Sequence, residues 1–324
     1  MIDFCRGYQN VIIYGAGAVA QRTSRLLSKA GIDIDCYVVS DEAHMNKLNS
    51  INNIPVMSLS DWIKMRDTTK KYGILVAVSE RYHNEISEML TVHDLKNVFF
   101  ASEKDLQKVC RELYPISASK FLNTVEPVSR LFGTDRGTPI DRYYIEKFLR
   151  QEALEMQSSK STLEVAEDTY SKKFFPDAVH DILKYDEGMD LTDVDTLPEN
   201  IYDVFICTQV LHVIFDLRSA IKGTYRLLTP GGTLLATVAG NISQVAEYDM
   251  SQWGYYWGFT GIAIQKLMEE TFGPGNVETF SYGNIMAATA FIQGVALEDL
   301  PDVTLLDEMD SAYSICIGIR ARKC

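Results

Sequence analysis

The sequence predicts two doubly wound α/β domains in tandem, and three observations carry that expectation. Short apolar runs alternate with amphipathic stretches along most of the chain. A small-residue turn, Gly15-Ala16-Gly17, follows the first apolar run and opens the first long helix. Farther on, Tyr202 to Val238 reads as a parallel strand–helix–strand crossover. Its parts are a buried strand (204–208), a loop carrying Gln209 and His212, a helix (216–228), a Pro230-Gly231-Gly232 turn and a second buried strand (233–238). Pro115 to Ser119 is the linker candidate, which divides the chain into domains 1–115 and 116–324.

Within the first domain, strands are expected at 11–14, 35–39, 54–59, 74–78 and 97–100. Helices follow them: one to about residue 30, one opening at Asp61-Trp62 behind a Ser60 cap, then 84–90 and 103–113. The second domain opens with a helix in which Thr138 is the expected N-cap and Pro139 the first helical residue. Asp141 is the reciprocal capping side chain, and the helix runs to about Met156. Strands are then expected at 162–166 and 178–182, before the crossover, with an antiparallel pair at 276–282 and 314–319 closing the sheet.

Bulk properties narrow the function. The 324 residues carry a net charge of −13, which argues against a nucleic-acid backbone as partner. No apolar run is long enough to span a bilayer, and the N-terminus lacks the build of a signal peptide. The six cysteines (Cys5, Cys36, Cys110, Cys207, Cys316, Cys324) include no C-x-x-C pair, so reduced thiols in a cytoplasmic protein are expected and no metal site is. Oligomeric state is left open.

Gly15-x-Gly17-x-x-Ala20 has the context of a nucleotide-binding fingerprint. Gly15 allows the tight turn, Gly17 lets a phosphate approach the backbone, and Ala20 permits close helix–strand packing. Asp41, after the second strand, can accept from a ribose hydroxyl. Simple helix–sheet packing needs the same small residues, so the ligand stays open. This unit resembles the small Rossmann-like domain that precedes bacterial sugar acyltransferases.

The Asp-Val before strand 204–208, the Leu-His after it and the Arg-Leu-Leu-x-Pro-Gly-Gly before the next strand carry a second resemblance. They are similar to class I S-adenosylmethionine-dependent methyltransferases of the type 11 group, over roughly residues 130–322. The resemblance implies a class I methyltransferase fold, with Glu164 at the acidic position that holds the cofactor ammonium. Ala166 and Asp168 stand where loop glycines are expected, so binding is expected to be weak. Asp181 is expected to receive the ribose hydroxyls and Asp193 to stand at the adenine edge, from a loop. Only about ten residues separate Asp181 from Leu191, too few for a helix plus a strand, so the third-strand region is expected to be lost or reduced. Gln209 is a further cofactor candidate. The run Asp135 to Tyr144 (DRGTPIDRYY) resembles a subgroup found beside glycosyltransferases in bacterial surface-glycan clusters.

Methyl transfer to a hydroxyl needs alignment and proton removal. His212, at the carboxyl edge of the sheet, is the candidate base, with packing as its alternative role. Tyr143 can reach a substrate from the opening helix. Trp253, Tyr256 and Trp257 suit stacking on a sugar ring, with a lid or dimer surface as the alternative. Tyr144 shares the reach of Tyr143, one of the two tyrosines being expected in the core, and Arg136, Arg142 and Asp249 are candidates for holding polar groups of a nucleotide or glycan, with an exposed salt-bridge network as the alternative. The expected function is methylation of a sugar or glycoconjugate hydroxyl. The runner-up is a repurposed methyltransferase-like protein that binds a nucleotide sugar or partner enzyme, and an oxidoreductase using the N-terminal loop comes third.

Overall fold

A computed structural model describes residues 1–40, 50–116, 125–185 and 188–324. Asp41 therefore lies outside the described residues. The chain divides into two compact units, Met1–Ala118 with Asp135–Gly137, and Ser119–Thr134 with Thr138–Cys324. Each unit has a six-stranded sheet, so the expected pair of Rossmann-like domains is present.

In the first unit the strands are β1 (Asn10–Tyr14), β2 (Cys36–Val39), β3 (Ser50–Ile51), β4 (Ile54–Ser58), β5 (Tyr72–Val76) and β6 (Val98–Phe100). Their order is β3-β4-β2-β1-β5-β6, parallel from β4 to β6, with β3 paired antiparallel to β4. All four residues of β2 are buried, as a central parallel strand covered on both faces requires. The helices include α1 (Ile2–Arg6), α2 (Ala18–Lys29), α3 (Leu59–Met65), α4 (His83–Val92) and α5 (Glu103–Leu113). Helix α3 starts earlier than expected. Ser58, not Ser60, is its N-cap, accepting from the Asp61 N–H.

The turn after β1 has the geometry that its glycines predict. Gly15 has φ +117, and a Cβ there would lie 2.7 Å from the Ala77 carbonyl oxygen. Ala20 is fully buried on α2, whereas a Cβ on Gly17 would meet nothing within 4 Å. Packing therefore explains Gly15 and Ala20 and leaves Gly17 unexplained.

The second unit starts with α6 (Ile140–Ala153), whose N-cap position is Pro139, with no side-chain cap bond. Thr138 instead turns to Glu298, its hydroxyl donating over 3.0 Å and its N–H over 2.8 Å. The expected capping box is absent, since Asp141 bonds backbone N–H groups beside it, that of Arg142 among them, and not the N–H of Thr138. There follow β7 (Ser161–Val165), α7 (Thr169–Phe174), β8 (Val179–Leu183), β9 (Tyr202–Thr208), α8 (Leu217–Leu227) and β10 (Leu228–Ala239). The chain ends with α9 (Glu247–Gln252), α10 (Gly261–Phe272), β11 (Val277–Tyr282), α11 (Ile285–Gln293) and β12 (Cys316–Arg322). Strand order is β11-β12-β10-β9-β7-β8, with β12 antiparallel to both its neighbours, as expected for the closing pair.

Between β8 and β9 the described residues form no strand, only a 3-10 turn at Val194–Thr196. The expected loss of the third strand is what the structure has. The shortened segment lies on α8 at Gly223, where a Cβ would come within 2.2 Å of the Leu191 carbonyl oxygen. Leu191 and Leu197 join the core beneath it.

Gly223 is therefore expected to be intolerant. Gly223→Ala should lower stability in urea by about 1–3 kcal/mol through overpacking, although Ala gains about 1 kcal/mol over Gly in a helix. Gly17→Ala, facing open space, should shift stability by less than about 1 kcal/mol. Equal effects of the two changes would contradict the packing at α8.

Candidate functional site

Parallel strands place their carboxyl ends, and the loops after them, along one edge of the sheet. In the second unit that edge carries the loop after β7, Gln209 after β9, the end of β10 and the start of β12. Cys316 of β12 pairs with Ala239 at the end of β10.

The loop after β7 is organised by Glu164. This carboxylate is 2% exposed and accepts the N–H groups of Tyr170 (3.2 Å) and Ser171 (2.7 Å) in the first turn of α7. Burial pushes its pKa up, while the two backbone donors pull against that shift. Ala166 holds φ +67, the left-handed conformation that glycine adopts without strain. The glycine-like turn is thus kept with an alanine in it. Asp168 is drawn along the helix surface by Lys172 at 2.7 Å, and this pairing holds its carboxyl below the usual range. Its side chain is committed to the helix surface.

Other candidates sit elsewhere than expected. Strand β8 continues to Leu183, so Asp181 is mid-strand, not at the carboxyl end, and accepts from the Tyr202 hydroxyl at 3.1 Å. Asp193 is exposed on the reduced loop, at the start of the 3-10 turn. Gln209 has φ +56, and its amide turns inward toward Thr237 Oγ1 (3.4 Å) and Cys316 Sγ (3.7 Å). Tyr143 is spent on a surface cluster. Its hydroxyl donates to Asp307 at 2.7 Å, beside Lys147, and burial together with Asp307 pushes it up to about 12. A phenol so held is a poor base, which corrects its catalytic assignment. Tyr144 is core, fully buried and stacked on Tyr282 at 5.6 Å, not an acceptor contact. Arg136 is likewise buried and groups with the first unit, its carbonyl accepting from Arg111. Adjacent helical residues face different ways, which is why the Tyr143-Tyr144 and Asp141-Arg142 pairs part company.

What does gather at the edge is a cluster around Tyr255. The His212 imidazole lies 4.8 Å from the Tyr255 ring, and the Tyr255 hydroxyl donates to Ser243 at 2.8 Å. His212 is 5% exposed, its Nδ1 has no hydrogen-bond partner, and burial lowers its pKa to about 4. The His212 carbonyl accepts the N–H groups of Tyr256 and Trp257, which ties the aromatic run to the loop after β9. Asp249 on α9 and Asp141 on α6 both bear on the Tyr255 phenol, and burial raises the pKa of each. Arg142, next to Asp141, sends its guanidinium to the Tyr170 hydroxyl at 2.8 Å. Above the cluster, Trp253, Tyr256 and Trp257 are exposed together with Phe215, whose ring meets Tyr256 at 5.3 Å and Trp257 at 6.3 Å. Tyr255 and Asp141 were not legible as site residues. Tyr255 stood inside the aromatic run, and only the fold brings it to His212.

Among the described residues no three His, Cys, Asp or Glu side chains converge as a metal site, and no helix is long and apolar enough to cross a membrane.

Comparison with known proteins agrees on the second unit. Residues 141–236 match the family model described as a methyltransferase domain, so the chain carries such a domain in its C-terminal part. The match does not extend to the first unit. The chain is 30% identical over 140 residues to probable polyketide synthase 9/36 of Dictyostelium discoideum, covering 42% of this chain and 5% of that protein. It is 25% identical over 134 residues to probable polyketide synthase 7 of the same organism, covering 40% and 5%. The chain thus spans a small fraction of the length of these relatives. Among solved structures, the N-methyltransferase NodS from Bradyrhizobium japonicum WM9, in complex with S-adenosyl-L-homocysteine, aligns with TM-score 0.36 at 16% identity. That alignment covers 57% of this chain and 88% of NodS. A SAM dependent methyltransferase from Archaeoglobus fulgidus aligns with TM-score 0.37 at 10% identity, covering 56% and 99%.

The buried imidazole generates a pH prediction. His212 titrates near 6.5 unfolded and about 4 folded, so the unfolded chain binds the extra proton between those values. Its contribution is fully present above pH 6.5 and is lost as pH falls toward 4, by up to about 3 kcal/mol. Urea unfolding of wild type and His212→Gln across pH 4–7 checks it. The gap between the two should shrink toward acid, and a constant gap would show an imidazole that titrates normally.

Proposed function

We propose that the second unit transfers the methyl group of S-adenosylmethionine to a hydroxyl of a sugar or glycoconjugate, in bacterial surface-glycan assembly in the cytoplasm. The observation that supports this most is the loop after β7. Glu164 fixes it to the start of α7, Ala166 keeps the glycine-like turn, and Asp168 is drawn along the helix surface by Lys172. The residues present therefore suit the cofactor. It supplies a methyl group on a positively charged sulfur. The α7 amino end and the Ala166 turn would hold its methionine part, while Glu164 acts by ordering that loop. Trp253, Tyr256, Trp257 and Phe215 form the apolar wall on which an acceptor ring stacks. His212, neutral at physiological pH, offers a hydrogen bond from inside that wall. The first unit, with its open Gly17, is proposed to bind a nucleotide or nucleotide sugar, and the division near Ala118 to be a true domain boundary.

A second reading is a repurposed fold that binds without transferring. Both Glu164 oxygens are already spent on backbone donors, and Asp181 on Tyr202, which favours it.

Isothermal titration with S-adenosylhomocysteine decides between the readings. Wild type is expected to bind, and Glu164→Gln to bind ten- to a hundredfold more weakly. The loss corresponds to a hydrogen bond to a charged group, about 1.5–3 kcal/mol. Asp181→Ala, away from the strand end, should change affinity little. Absence of binding at millimolar ligand would remove the methyltransferase reading and leave the repurposed fold. Trp257→Ala should weaken acceptor use more than S-adenosylhomocysteine binding, and equal loss of both would place Trp257 in the structural core instead.

A further inference from the structure

The methyl-transfer reading gives His212 to the acceptor, yet the structure closes it. Its side chain is 5% exposed, Nδ1 has no partner, and the Tyr255 ring lies 4.8 Å from the imidazole. From this side an acceptor reaches the imidazole only if Tyr255 moves. What holds Tyr255 therefore governs entry.

The hold can be followed bond by bond through the loop between β10 and α9, all of it within the second unit. The Tyr255 hydroxyl donates to Ser243 Oγ at 2.8 Å, and Ser243 Oγ donates in turn to the Gln244 carbonyl at 3.2 Å. The Gln244 side chain then reaches 112 residues back along the sequence. Its Oε1 accepts the Phe132 N–H and its Nε2 donates to the Ser129 carbonyl, each over 3.1 Å. One primary amide thus engages a donor and an acceptor of the same loop, a pairing that neither a carboxylate nor a hydrocarbon can make.

Loop 129–133 is tightly determined on its own side. Ser129 Oγ accepts the N–H groups of Leu131 (3.0 Å) and Gly133 (3.3 Å), and the Ser129 N–H donates to the Gln293 carbonyl at the end of α11 (3.0 Å). Phe132 holds φ +55, a conformation that costs a bulky residue energy and persists only where its surroundings impose it. Its ring stacks on Phe291 at 5.9 Å, and its N–H is the one that Gln244 grips. Strain and grip coincide at one residue, so releasing Gln244 removes a restraint that keeps the strain in place. Strained backbone of this kind clusters at ligand clamps and switch segments.

We propose that Gln244 is a positioning residue for acceptor entry: by latching loop 129–133 it fixes Ser243, keeps Tyr255 over His212, and makes access to the imidazole depend on release of the latch. Calling His212 an acceptor contact rests on the methyl-transfer reading, whereas the latch itself does not.

Wild type, Gln244→Ala, Ser243→Ala and Ser243→Thr are treated at pH 7 with diethyl pyrocarbonate. Peptide mass spectrometry reads the carbethoxylation rate of His212 against that of the exposed His93. N-ethylmaleimide labelling of Cys207, fully buried in β9, reports global opening in parallel. In wild type, His212 should react far more slowly than His93, and equal rates would overturn the closed state. Gln244→Ala should speed the His212 reaction about tenfold, which is about 1.4 kcal/mol of closure, with Cys207 as protected as in wild type. Ser243→Ala should do the same with both Gln244 side-chain bonds left in place, and Ser243→Thr, which restores the hydroxyl, should return the wild-type rate. A purely structural role would expose Cys207 together with His212, and that result overturns the proposal. So does an unchanged His212 rate in Gln244→Ala, or a change in only one of the two alanine variants. If Gln244→Ala does not fold, Gln244→Glu replaces it, since its carboxylate still accepts from Phe132 but has no proton for the Ser129 carbonyl. Isothermal titration with S-adenosylhomocysteine separates the latch from the reading beneath it. No binding by wild type removes the methyl-transfer reading, and the modification rates still decide the latch. Binding that Gln244→Ala weakens tenfold or more would place Gln244 on the cofactor side and overturn its role in acceptor entry.

Discussion

The carboxylate of Glu164 holds the second unit's working edge together. It sits at the penultimate residue of β7, almost without solvent, and takes the first free N–H groups of α7. A helix start leaves such donors unpaired and carries a partial positive charge, so a buried anion there satisfies both needs at once. An apolar side chain at this position would free two backbone donors in a dry place and release the loop that turns through Ala166. The left-handed alanine is tolerable only because that anchor and the bond from its N–H to Leu183 determine the turn from both sides.

Losing the third strand has consequences for that edge. In a sheet that lacks it, β8 becomes the outer strand next to β7, with Val179 and Asp181 exposed. The segment that replaces strand and helix is short and must still cover the flank of α8. It does so by pressing Leu191 against Gly223, a contact that only a residue without a side chain permits. The wall toward β8 is thus formed by a loop and its acidic residues, while the opposite wall, from α9 to Phe259, is aromatic and tied down through the His212 carbonyl.

How much of this could be read from residue order depends on the range of the interaction. The positions of strands and helices follow from local apolar periodicity, whereas the reduced third-strand region needs the family resemblance together with a segment too short for a helix plus a strand. Caps were less legible. Ser58 and Ser60 are both competent, and the choice between them depends on where β4 ends. The family resemblance sets Asp181 at the strand's end, whereas β8 runs on to Leu183. Helix geometry gives Tyr143 and Tyr144 their reach, whereas their roles are set by Asp307 and Tyr282, far along the chain. Tyr255 with His212 shows the same limit, because a pairing of distant residues has no local signature.

A single cause, removal of water at the carboxyl edge, acts in opposite directions on the groups gathered there. It lowers the His212 imidazole and raises the Asp141 and Asp249 carboxyls. At physiological pH the imidazole is therefore neutral, and the Arg142 guanidinium both donates to the Tyr170 hydroxyl and acts on the Asp141 carboxyl. Like charges in a desolvated place repel strongly, so a phosphate group has no favourable position beside Asp141 and Asp249.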